Sequence, residues 1–87
     1  MGKAEKTFAR MAANPRDWKI NDIKSVCRRF GLFCDPPSSG SHYKVYSDYL
    51  EGMLTIPAHR PIKPIYIKQF VSYAKAHRLK VEEQGNG

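Results

Sequence analysis

The run Gly40-Ser41-His42-Tyr43-Lys44-Val45-Tyr46-Ser47-Asp48-Tyr49-Leu50-Glu51-Gly52-Met53-Leu54-Thr55-Ile56-Pro57 decides the fold. Its two ends, His42 to Ser47 and Met53 to Pro57, are rich in aromatic and branched side chains and flank a loop containing Asp48 and Gly52, the pattern of two antiparallel strands. Side chains alternate along a strand, so His42, Lys44 and Tyr46 share one face while Tyr43 and Val45 share the other. In the second strand Leu54 and Ile56 fall together. Just upstream, Leu32-Phe33-Cys34 predicts a short third strand. Asp35-Pro36-Pro37-Ser38-Ser39-Gly40 ends it, because proline cannot donate to a ladder and the stretch is rich in turn formers.

Outside these strands the hydrophobic period changes from two to between three and four. Ile20, Ile23, Val26 or Cys27, and Phe30 follow the spacing of an amphipathic helix over 21–30, with Asn21 or Asp22 near its start and Gly31 at its end. Residues 3–13 predict an earlier, short helix, with Ala4, Phe8, Met11 and Ala12 on one side and Asn14-Pro15 stopping it. After the hairpin come three prolines, at 57, 61 and 64, and Pro64 suits the first turn of a helix. Ile67, Phe70 or Val71, and Ala74 form the buried stripe of that helix, expected over 64–78. The chain reads as a single domain over 1–87, with 1–16 an N-terminal extension and 82–87 a flexible tail. The fold class is α+β: a three-stranded antiparallel sheet with helices packed on one face, in the order α-β-β-β-α after a short N-terminal helix.

The 87 residues carry 15 Lys and Arg against 8 Asp and Glu, a formal charge of +7. A chain this short buries roughly 60 to 65 per cent of its unfolded surface, enough for one modest core but not for a cofactor cleft between domains. A hydrophobic content of 41% with 11% aromatic residues is that of a folding chain. No apolar run approaches the roughly 20 residues of a membrane-spanning helix, and no secretion signal is visible, so a cytoplasmic protein is expected. In that compartment Cys27 and Cys34 are expected as free thiols. The charge is unevenly spread: residues 1–35 have eight basic and four acidic side chains, 36–58 have one and two, and 59–87 have six and two. Such a surplus makes a polyanion the first partner to consider, nucleic acid ahead of membrane.

Gly40-Ser41-His42 enters the first long strand directly from a turn. Glycine there leaves room for a backbone to approach. A histidine titrates near neutrality, so it can take a proton from an RNA 2′-hydroxyl or supply one to a leaving oxygen without a metal. Lys44, two residues on and on the same face, would offset phosphate charge. The competing reading makes His42 a strand-edge residue satisfied by a backbone carbonyl.

Three blocks of the chain resemble one family. Gly40-Ser41-His42-Tyr43-Lys44, Leu54-Thr55-Ile56-Pro57-Ala58-His59, and Pro61-Ile62-Lys63-Pro64-Ile65-Tyr66-Ile67-Lys68-Gln69-Phe70-Val71 are similar, in order, to the HicA toxins of bacterial toxin–antitoxin pairs. The segment from Trp18 to Gly31 is similar to the start of the longer members, so the resemblance covers residues 8–75. It implies a fold like that of double-stranded-RNA-binding domains, endoribonuclease activity on mRNA, and neutralisation by a HicB-type antitoxin covering the active histidine. No metal, other cofactor or membrane partner is expected. His42 takes the place of the family's catalytic histidine. Many members carry a basic residue before the glycine, whereas Pro36-Pro37-Ser38-Ser39 precedes Gly40 here. RNA would then be held by Lys44 and by Arg60, Lys63 and Lys68, with Gly40 and Ser41 supporting the approach. The alternative function is a non-catalytic double-stranded-RNA-binding module on the same fold.

Other signals are ambiguous or weak. Cys27 and Cys34 with His42 and His59 lack zinc-site spacing. Arg60-Pro61-Ile62-Lys63-Pro64 contains a P-x-x-P core, but its apolar neighbours Ile56, Ile65 and Ile67 make it a packed connection. His59 reads as a loop anchor, a second acid–base group or an RNA contact. Tyr46 and Tyr66 read either as half-buried packing or as platforms for unpaired bases. Trp18 is expected to pin the N-terminal segment onto the domain, and His77 to sit in the last helical turn near the negative end of the helix dipole.

Overall fold

The computed structural model describes residues 2–85. The elements are α1 (Lys3–Ala13), α2 (Ile20–Phe30), β1 (Phe33–Asp35), β2 (His42–Tyr46), β3 (Met53–Pro57) and α3 (Pro64–Gly85). β2 pairs antiparallel with β3, placing His42 opposite Pro57, Lys44 opposite Thr55 and Tyr46 opposite Met53. On its other edge β2 pairs with β1, Phe33 opposite Tyr46 and Asp35 opposite Lys44. The sheet order is therefore β1-β2-β3. The result is an α+β fold of two N-terminal helices, a three-stranded antiparallel sheet and a long C-terminal helix.

The alternation read from the sequence becomes two unlike faces. Val45 and Ile56 are wholly buried in a cluster with Ile23, Val26, Ile67 and Phe70 from the helices. Their neighbours His42, Lys44 and Thr55, with Phe33, Asp35 and Met53, are exposed on the other side. Each fully buried aliphatic or aromatic side chain stabilises the fold by about 1.5–3 kcal/mol relative to exposure, so the helix-covered face is what holds the sheet in place.

Local chemistry sets the ends of α2. The Asp22 carboxylate accepts the Lys19 backbone N–H at 2.9 Å, satisfying one of the free donors at the helix start. At the other end Gly31 has φ +80°, and the Cys27 carbonyl accepts both the Gly31 N–H and the Leu32 N–H, the latter at 2.9 Å. A side chain is strained at that angle, so glycine lets the chain reverse from helix into β1.

The N-terminal extension is built into the same core. Phe8 and Met11 of α1 are buried, and the Phe8 ring meets Phe30 edge-on at 5.0 Å and Phe70 at 6.5 Å. Glu5 pairs with Arg29 of α2 at 2.7 Å. Trp18 pins the segment as expected: its ring N–H donates to the Asn14 carbonyl at 2.6 Å, and its own carbonyl accepts the Ile62 N–H at 2.9 Å. Ile62 is wholly buried, so the proline-rich stretch around it is a packed connection.

Two expectations are corrected. α3 does not end near residue 78 but runs to Gly85, because Arg78 to Gln84 contains no helix breaker and each added residue gains a backbone hydrogen bond without needing a core. Leu79 and Val81, 58% and 37% exposed, show that these turns run past the packed region. Residues 82–85 of the expected tail are thus helical, while Asn86 and Gly87 lie outside the described residues. His77 is consequently not in the last turn. It is buried, with Nε2 2.6 Å from the Phe30 carbonyl oxygen and Nδ1 2.6 Å from Ser47 Oγ. A carbonyl only accepts, so in the neutral ring Nε2–H donates and Nδ1 accepts the serine proton. Ser47 Oγ in turn accepts the Tyr49 N–H at 2.9 Å. One imidazole thereby ties the end of α2 and the β2–β3 turn to α3.

Candidate functional site

The turn before β2 delivers His42 to the open face of the sheet. Gly40 has φ +80°, and a β-carbon there would meet nothing within 4 Å, so the backbone angle rather than crowding calls for glycine and the space beside it is open. The Ser41 carbonyl accepts the Ala58 N–H at 2.8 Å, carrying the pairing one step beyond His42–Pro57. His59 follows one residue later, two residues past the end of β3. His42, His59 and Arg60 are all exposed at this end of the sheet. Lys44 is exposed on the same face as His42. Residues two apart on a strand are about 6.6 Å apart along it, close to the reach of one phosphodiester unit.

At the opposite end the open face carries a cross-strand row of Phe33, Tyr46 and Met53. The Phe33 and Tyr46 rings stack with centroids 5.0 Å apart and planes 16° from parallel. Phe33 and Met53 are 41% and 55% exposed. The Tyr46 hydroxyl donates to the Asp35 carboxylate at 2.9 Å. That hydrogen bond, with smaller contributions from desolvation and the charges of Asp35 and Asp48, raises the phenol above its ordinary range. Of this row the sequence reading singled out only Tyr46. Register is the signal that adds the others, since pairing fixes which residues share a row.

The remaining basic candidates are dispersed. Arg60 and Lys63 are exposed in the connection between β3 and α3. Lys68 borders an open groove of about 630 Å³ with Leu54, Ile65 and Tyr73. Leu54 faces the helices, so Lys68 stands on the helix side of the sheet, away from the face that His42 and Lys44 share. Several other cations are engaged with aromatic rings: Lys24 lies 5.1 Å from Tyr43, Arg78 4.4 Å from Phe30 and Arg10 5.8 Å from Trp18. Tyr66 packs against the core as a partly buried residue.

Among the described residues no helix is long and apolar enough to cross a membrane, and no three His, Cys, Asp or Glu cluster in a metal-holding arrangement. Comparison with protein-family models, with curated proteins and with solved structures gave no match.

Proposed function

We propose that this chain is a metal-independent endoribonuclease of HicA type, the toxin of a toxin–antitoxin pair, with a fold of the double-stranded-RNA-binding-domain kind and a HicB-type antitoxin as its partner. The observation that carries the reading is the placement of His42: exposed, on the sheet face that the helices leave uncovered, beside an open glycine turn and in line with Lys44. RNA supplies its own nucleophile. His42 takes the 2′-hydroxyl proton as that oxygen attacks the adjacent phosphorus, and Lys44 offsets the charge gathering on the phosphoryl oxygens. The 5′-oxygen then leaves with a proton, for which exposed His59, just past the end of β3, is the candidate second donor. The products are a cyclic phosphate end and a 5′-hydroxyl. The row of Phe33, half-buried Tyr46 and Met53 on the open face suits unpaired bases, which stack on aromatic faces, so the substrate is mRNA in single-stranded form.

The test is cleavage of a single-stranded RNA by the purified chain in excess chelator, with the ends analysed for cyclic phosphate. His42→Ala should lower the rate by about 10²- to 10⁴-fold and His59→Ala by less, each with the fold retained. An undiminished rate in His42→Ala rejects the reading. Salt-sensitive binding of duplex RNA with no cleavage by the wild type would instead favour a non-catalytic double-stranded-RNA module.

A further inference from the structure

Cys27 and Cys34 lie seven residues apart, on different elements, yet the Gly31 reversal brings their side chains together. Cys27 is in the last turn of α2 and is 1% exposed. Cys34 is the middle residue of β1, opposite Val45 and therefore on the helix-facing side, and it is half-buried. Each thiol is the largest single influence on the other's ionisation. Both line a surface pocket of about 200 Å³ whose other walls are Lys24, Arg28 and Leu32. The pair therefore shares one small pocket bordered by two cations, with Cys34 the member nearer solvent.

The partners are not equivalent. The neighbouring Cys27 thiol, aided by the Lys24 charge, holds Cys34 below the ordinary thiol range against the opposing effects of burial and Asp35. The same interaction, with burial behind it, holds Cys27 as the thiol. The more reactive sulfur is thus the one nearer solvent.

We propose that Cys34 is a peroxide-oxidisable thiol and Cys27 its resolving partner, together forming a reversible intramolecular disulfide. The Cys34 thiolate attacks one oxygen of hydrogen peroxide, the O–O bond breaks, and hydroxide leaves and is protonated to water, giving a sulfenic acid. Cys27 sulfur then loses its proton and attacks Cys34 sulfur, the S–O bond breaks, and the departing hydroxide takes up that proton. Two thiols lose two electrons, and one peroxide is reduced to two waters. A dithiol reductant reverses the step. The new bond would join the end of α2 to β1, the strand that supplies Phe33 and Asp35 to the open face. This proposal does not depend on the ribonuclease reading.

The test treats the reduced full-length chain with stoichiometric hydrogen peroxide and follows thiols and mass. The expected result is loss of both thiols with a mass decrease of about 2 Da in a monomer, a Cys27–Cys34 linked peptide, and recovery with dithiothreitol. Cys27→Ala should accumulate a dimedone-trappable sulfenic acid at Cys34. Cys34→Ser should leave Cys27 oxidising at least about tenfold more slowly than Cys34 does in the wild type. Disulfide-linked dimers in place of the internal bond, equal oxidation rates for the two single variants, or Cys34 reacting no faster than in the urea-unfolded chain would each overturn the proposal.

Discussion

Lys44 and Val45 are neighbours on one strand, yet the first stands in solvent and the second is wholly enclosed between sheet and helices. The same contrast holds along β3, where Thr55 is exposed and Ile56 buried. The two faces of the sheet thus divide the work residue by residue. The helix-covered face fixes the fold through close packing, which leaves the open face free of packing demands and able to hold a histidine, a lysine and an aromatic row at little cost to stability. In so small a chain this division lets reactive groups be added without enlarging the core.

The two faces should differ most at Ile56. Ile56→Ala should destabilise the protein by about 3 kcal/mol, whereas His42→Ala should change stability by less than about 0.5 kcal/mol. Urea denaturation followed by far-ultraviolet circular dichroism measures both, and similar midpoints for the two variants would show that the faces are not distinct in energy. A smaller effect is expected at His77, on the covered side. His77→Ala should cost about 2 kcal/mol, because it leaves the Phe30 carbonyl and the Ser47 hydroxyl without their buried partner, and the same denaturation series reads it.

The smallest effect lies among the helices and appears only in acid. The hydrogen bond from Arg29 holds Glu5 below the ordinary carboxylate range. A carboxylate depressed on folding adds stability above its unfolded pKa and loses that stability as pH falls through the folded value. Wild type should therefore lose a stability increment between neutral pH and pH 3 that Glu5→Gln lacks, while the sheet faces respond alike in both. Arg29 is 64% exposed, so added salt should shrink the difference. Equal acid sensitivity of the two proteins would show that the pair adds no stability.

Most of the fold was legible because its signals are local. The central hairpin and α2 follow from period-two and helical spacing, and the first three elements and both long strands begin within a residue or so of expectation. The length of α3 was not legible from its apolar stripe, since a helix continues past its core on propensity alone. His77 was recoverable in principle: Ile67, Phe70, Ala74 and His77 keep the same three- and four-residue spacing, which places an imidazole on the buried stripe. Its partners Phe30 and Ser47 were not, because they come from elements far apart in the chain. Of the candidate site, His42 and Lys44 sharing a face followed from alternation. The row with Phe33 and Met53 and the helix-side position of Lys68 required register and tertiary packing, and no spacing rule carries those.

The strand order β1-β2-β3 repeats the order of the chain, so each pairing joins segments already close in sequence. Little loop entropy opposes such a meander, and its parts can assemble early during folding. Phe8 against Phe70 is the opposite case, a contact between the first and last helices that closes most of the chain. Docking of α1 is therefore expected after the barrier, acting as a latch on a structure already formed. Phe8→Ala should accelerate unfolding in stopped-flow experiments while leaving the refolding rate nearly unchanged, and a slowed refolding limb would place the latch in the nucleus instead.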